Sequence, residues 1–257
     1  MKTYNEHYQQ CKTLWSSKNT DTDVLGLNFI ENVFEINNSI FDAVVDQTIN
    51  SLSRDSLVCY RPFSKHLKDP RFIPAVKNLA KEITRQVEEQ LFASYFNIEF
   101  VHCYENLHKN IQESSSWLWH FDNCPDEYIK IAFHINQSTE NNGCMKILLD
   151  KNYLPLRMKS DRFKPNDKSR RPSRLSHEQV DSLKQDGCIE KCILGGRGSN
   201  FVFSPNILHK ATIPAYNSEH RKMLMFYVRP SLSKHKDPFA NTRIMQDGVD
   251  VKQYRLD

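Results

Sequence analysis

The strongest constraint on how this 257-residue chain can fold is a series of short strand-like runs crowded between Asn97 and Val228. Ile98–Tyr104, Trp117–Phe121, Tyr128–Ile135, Cys144–Leu149, Ile189–Leu194, Asn200–Ser204, Ile207–Thr212 and Lys222–Val228 are rich in aliphatic, β-branched and aromatic residues. Turn signals separate them at Asn142-Gly143, Gly195-Gly196-Arg197-Gly198 and Asn217-Ser218-Glu219. Short, closely spaced strands of this kind read as a sandwich or barrel. Two amphipathic helices precede them. Ile40, Phe41, Val44, Val45, Ile49 and Leu52 mark the apolar side of the first. The second opens at Pro74, where the missing N–H costs nothing, and carries Val76, Leu79, Ile83, Val87 and Leu91 on one stripe. Helices first and strands afterwards read as α+β. The expected layout is one domain, with a mainly helical part at 1–96, a strand core at 97–230 and a tail at 231–257.

The strand pattern stops between Leu149 and Ile189, leaving an insertion at 151–187. Arg157, Lys159, Arg162, Lys164, Lys168, Arg170, Arg171 and Arg174 make it basic, and Pro165 and Pro172 interrupt it. Leu175 to Gly187 then reads as a short helix with Gly187 as its stop. A long insertion of this kind is either a solvated loop or a cover that attracts an anionic substrate.

Bulk properties exclude several classes. The formal charge of +4 is too small to imply nucleic-acid binding, and no apolar run approaches the ~20 residues of a membrane helix. The first residues lack the apolar centre of a signal peptide. Seven scattered cysteines, with no CxxC, read as reduced thiols in a cytoplasmic protein rather than as a disulfide framework or a zinc ribbon.

Chemistry concentrates at His120-Phe121-Asp122. On a strand, residues i and i+2 point to one side, so this tripeptide would aim an imidazole and a carboxylate at one place. With one more histidine they would form a 2-His-1-carboxylate set, which holds Fe(II) and leaves other positions open. H-x-D occurs twice; His235-Lys236-Asp237 lies in a polar tail with no histidine after it. His209, at the end of the apolar stretch from Phe201, is the best third ligand, with His134 and His177 as rivals. About a dozen residues beyond His209 comes Arg221, suited to grip a carboxylate in a bidentate pair. A hairpin centred near Ala215 would set Arg221 opposite His209; a centre nearer Glu219 would bring Arg229 there instead.

His120-x-Asp122, Asn142-Gly143, Ser204-Pro205-Asn206-Ile207-Leu208-His209 and Arg221 together resemble the Fe(II)/2-oxoglutarate dioxygenases, most closely the phytanoyl-CoA hydroxylase-like branch. The likeness covers roughly Phe100 to Pro230. It implies a double-stranded β-helix, or cupin-like jelly roll, with the N-terminal helices packed on one sheet. It also implies that His120, Asp122 and His209 bind iron and that Arg221, in preference to Arg229, binds the distal carboxylate of 2-oxoglutarate. The implied reaction couples oxidative decarboxylation of that cosubstrate by O2, to succinate and CO2, with hydroxylation of a small-molecule substrate. Asp122 favours hydroxylation over halogenation, because related halogenases carry a small residue there. The branch often has a serine two residues past the distal histidine; this chain has Ala211.

Lys130 lies in the third strand and has two readings, a solvent-facing lysine or an inward one that contacts the cosubstrate. Tyr104 and Trp119 are candidate pocket aromatics. Two other functions compete with the hydroxylase: a jelly-roll binding protein without turnover, and a cupin-like enzyme using a different metal.

Overall fold

The computed structural model describes residues 29–49, 60–62, 74–87, 95–108, 115–124, 128–158, 173–231, 245–246 and 249–250. In chain order the elements are β1 (Phe29–Glu31), α1 (Asn38–Ile49), β2 (Tyr60–Pro62), α2 (Pro74–Gln86), β3 (Tyr95–Asn106), a 3-10 turn (Ser115–Trp117), β4 (Ile129–His134) and β5 (Met145–Leu149). They continue with α3 (His177–Gln185), β6 (Ile189–Ile193), β7 (Asn200–Phe203), β8 (His209–Ala211), β9 (Lys222–Ser231), β10 (Met245–Gln246) and β11 (Val249–Asp250).

Two antiparallel sheets carry the core. The larger has the order β1-β7-β4-β9-β3-β2, and the smaller β6-β5-β8. Their facing sides share one apolar cluster: Ala132, Phe201, Phe203, Met223 and Met225 from the larger sheet meet Met145, Ile147 and Ile193 from the smaller. The outer side of the larger sheet is closed by the two helices. Phe41, Val44, Val76, Leu79 and Ile83 pack there on Ile98, Cys103, Ile129, Ile131, Phe133, Leu224 and Phe226. The outer side of the smaller sheet is covered by α3, whose Val180 packs with Trp119, Phe121, Leu148 and Leu208.

This layering explains the sequence of β4 and β9. Both are buried on both sides, so neither shows the apolar–polar alternation of a half-exposed strand. In β4, Ile129, Ile131 and Phe133 go to the helices, and Lys130, Ala132 and His134 go inward between the sheets. The solvent-facing reading of Lys130 is thereby excluded. Its side chain is 5% exposed.

The insertion's helix forms as expected. Ser176 caps it by accepting from Gln179 N, and the Gln179 side chain in turn accepts from Ser176 N, closing a capping box. Gly187 follows at φ 95°, the left-handed conformation that ends many helices. Residues 159–172, with most of the insertion's basic side chains, lie outside the described residues, as does His235-Lys236-Asp237.

Two expectations need correction. Trp117–Phe121 is not a strand: Trp117 ends the 3-10 turn, and the chain becomes extended only near His120. There it joins the smaller sheet by single bridges, to His209 on one side and Arg174 on the other. The expected hairpin between His209 and Arg221 also does not exist. β8 pairs with β5, whereas β9 lies between β3 and β4 in the other sheet. The continuous apolar run of β9 demands a central strand, and β8 is only three residues long. Among the described residues, no helix is long and apolar enough to cross a membrane.

Candidate metal centre and its cavity

His120 and His209 are locked together by a pair of backbone bonds, His120 N to His209 O at 3.0 Å and His209 N to His120 O at 2.9 Å. Asp122 N donates to Pro205 O at 2.9 Å, fixing the next inward residue of the same extended segment. The i/i+2 rule therefore holds locally even without a regular strand: His120 and Asp122 point inward, and Trp119 and Phe121 turn to the outer cluster under α3. Trp119 is accordingly core and not part of the cavity wall.

The ligating atoms of His120, Asp122 and His209 all lie within 4.8 Å of one another. His120 Nε2 is 3.9 Å from Asp122 Oδ1, and His209 Nε2 is 3.8 Å from Asp122 Oδ2. Each imidazole has its Nδ1 2.8 Å from the carbonyl two residues earlier, Leu118 O and Ile207 O. An Nδ1–H that donates to a carbonyl leaves Nε2 as the lone-pair nitrogen. Burial lowers the pKa of both rings, and that of His209 falls to about 3, with His120 adding to the effect. Both are neutral imidazoles at neutral pH, the form that binds metals. Burial opposes ionisation of Asp122, but the Lys130 ammonium overcomes it and holds the carboxyl well below its usual range. Two imidazole nitrogens and a carboxylate converging from one side suit a divalent first-row metal with open positions.

The cluster forms one wall of a cavity of about 190 Å³ between the sheets. His102, Tyr104 and Asn106 enter it from β3, Lys130 from β4 and Tyr227 from β9, while Arg221 closes the end where β9 begins. A cavity of roughly 150 Å³ suffices for a benzene-sized molecule, so this one accommodates a small organic acid. Arg221 is 1% exposed, and its Nε and Nη1 have no hydrogen-bond partner. A buried guanidinium in that condition carries a large desolvation cost that an anion in the cavity would relieve.

The backbone of Arg221 is held tightly. Its N–H donates to Asn142 O at 2.9 Å, and its carbonyl accepts from Asn106 N at 2.8 Å. The Asn106 amide group bonds Gly143 O at 3.1 Å and Thr212 O at 2.8 Å, bridging the two sheets. Gly143 sits at φ 91°, and a Cβ there would collide with Asn106 Nδ2 and come within 2.9 Å of Pro214 Cγ. The Asn142-Gly143 turn thus places the arginine.

The rival residues stand apart. His134 is buried beside Phe201, outside the triad; burial and the nearby Arg221 push its pKa down to about 3. His177 is exposed at the start of α3. Arg229 pairs with Glu99 at 3.7 Å, at the other end of β9. Tyr104 lines the cavity as expected, and so does Ala211. His102, Asn106, Ser116 and Tyr227 were missed. The period of two starting from Tyr104 would have found His102 and Asn106; Ser116 carried no signal.

No protein-family model and no curated protein matches the sequence. Solved structures do match the fold. The non-heme alpha ketoglutarate dependent epimerase SnoN from nogalamycin biosynthesis superposes with a TM-score of 0.52 at 11% identity, over 88% of this chain and 89% of that one. EctD from S. alaskensis, crystallised with 2-oxoglutarate and 5-hydroxyectoine, gives 0.51 at 13% identity over 89% and 78%. AviO1 from Streptomyces viridochromogenes Tue57 gives 0.51 at 11% identity over 81% and 92%. At these identities the likeness is one of fold: the chain is an α+β jelly roll, a double-stranded β-helix with helices packed on its larger sheet.

Proposed function

We propose that this protein is an Fe(II)- and 2-oxoglutarate-dependent oxygenase that hydroxylates a carbon of a small molecule, releasing succinate and CO2. The observation that carries the reading is the pairing of a three-ligand cluster with a buried, unsatisfied guanidinium across one small cavity. His120, Asp122 and His209 would hold the iron through Nε2, a carboxylate oxygen and Nε2. Arg221 would hold the distal carboxylate of 2-oxoglutarate, which relieves its desolvation cost, and Lys130 lines the same space. The bound metal would supply activation of O2; the chain orients the cosubstrate and keeps water and stray reactants out of a largely enclosed site.

Two further lines support the reading. The fold is similar to that of SnoN, an alpha ketoglutarate dependent epimerase, and of EctD, crystallised with 2-oxoglutarate. The motifs around His120, Ser204–His209 and Arg221 support the phytanoyl-CoA hydroxylase-like branch. An anionic substrate and a cytoplasmic location belong to the proposal, the first from the basic insertion and the second from the cysteine usage.

The test is anaerobic. Fe(II) plus 2-oxoglutarate should give the weak visible absorption of a chelated 2-oxo acid, and His209→Ala should lose it. No absorption from the wild type, or an unchanged band in His209→Ala, would overturn the assignment. In air, uncoupled succinate release should follow.

A further inference from the structure

Resting on that reading, we infer that Lys130 is a positioning residue that fixes how Asp122 meets the metal. Lys130 reaches across from β4, and its Nζ forms an ion pair with Asp122 Oδ2. The two side chains are 5% and 25% exposed. The ammonium lies 4.6 Å from the centre of the Tyr227 ring and 5.5 Å from that of Phe203. Aromatic faces at these distances attract a cation and limit where it can go.

Two consequences follow for a metal bound at Nε2 of His120 and His209. The first is geometric. An oxygen engaged by a lysine is less available for coordination, so Asp122 would present Oδ1 and serve as a one-oxygen ligand. A 2-oxo acid chelating through two atoms, together with O2, needs three open positions opposite the three protein ligands. A carboxylate that chelated through both oxygens would take one of them. The second is electrostatic. A fixed cation beside Asp122 repels an arriving dication and attracts a dianionic cosubstrate. Lys130 thus weakens binding of the metal alone and strengthens binding of the cosubstrate to the metal-loaded site. This places it at the metal ligand itself, apart from the distal carboxylate grip assigned to Arg221.

The experiment measures two affinities on the full chain without oxygen: Fe(II) alone, by competition with a chelating dye, and 2-oxoglutarate on the Fe(II)-loaded protein, by the visible band. Lys130→Met removes the charge and with it the ion pair to Asp122. It should tighten Fe(II) binding by roughly tenfold or more and weaken 2-oxoglutarate binding by a similar factor. Lys130→Gln keeps a hydrogen-bond donor without charge, so it should tighten Fe(II) binding while losing less cosubstrate affinity than the methionine variant. A merely structural lysine would weaken both affinities together. Fe(II) affinity that is unchanged or lower overturns the inference in either variant, so Lys130→Gln suffices if Lys130→Met does not fold. Unchanged 2-oxoglutarate affinity in Lys130→Met overturns it as well. A wild type that shows no band would sink the oxygenase reading instead, and the Fe(II)-only comparison would still report on Lys130.

Discussion

Strand β9 begins beside one buried arginine and ends near another. Arg221 and Arg229 are eight residues apart, so they share a side of the strand and lie about 26 Å from each other. Their burial is nearly identical, 1% and 3%. Their surroundings are not. Arg229 meets Glu99, itself 2% exposed, in a buried ion pair. Arg221 instead opens into the cavity, has no ion pair with a carboxylate among the described residues, and has its backbone clamped by Asn142 and Asn106. A charge that serves the fold is paired within the fold. On the proposed function, the charge that serves a ligand is held by its backbone and faces the cavity instead.

That contrast can be broken by substitution, and the largest effect belongs to the paired arginine. Arg229→Met strands Glu99 in the interior and should cost about 3–5 kcal/mol of stability, read by denaturant unfolding. A loss below ~1 kcal/mol would mean that the pair is not structural. Arg221→Met should behave in the opposite way. Stability should stay within ~1 kcal/mol of wild type, since an unpaired buried charge is removed, while 2-oxoglutarate affinity drops roughly 30- to 150-fold, as expected for lost charge-assisted bonds. A 2-oxo acid lacking the distal carboxylate should bind both proteins alike. Gly143→Ala should cost at least about 1–2 kcal/mol from its left-handed backbone alone and also loosen Arg221 through Asn106 and Asn142. Stability loss without any change in cosubstrate affinity would show that the turn does not place the arginine. The smallest effect is a gain. Ala211→Ser puts a hydroxyl on the cavity wall and should tighten 2-oxoglutarate binding by a few-fold, about one neutral hydrogen bond. No gain would indicate that the carboxylate sits out of its reach.

How much of this was legible in the sequence differs between the site and its setting. The helices, seven of the eight strand-like runs and the capped helix of the insertion follow from apolar periodicity and end signals, because packing on a sheet rewards those patterns directly. His120, Asp122 and His209 were legible because the i/i+2 rule needs only an extended backbone, which single bridges supply as well as a strand does. The route from His209 to Arg221 was not legible. Spacing suggested a hairpin, whereas β8 and β9 belong to different sheets, a choice made by tertiary pairing. β1 and β2 are three residues each and have no periodicity to read. Lys130 was ambiguous because a lysine in a strand looks solvent-facing until both sides of that strand are known to be covered.

The most direct test of the central claim is one anaerobic titration of the Fe(II)-loaded protein with 2-oxoglutarate, run on the wild type, Arg221→Met and Arg229→Met and followed by visible absorption. The account predicts a saturating band for the wild type, a markedly weakened affinity for Arg221→Met, and wild-type affinity for whatever fraction of Arg229→Met is folded. A wild type without the band, or an Arg229→Met protein that loses cosubstrate affinity while Arg221→Met keeps it, would contradict it.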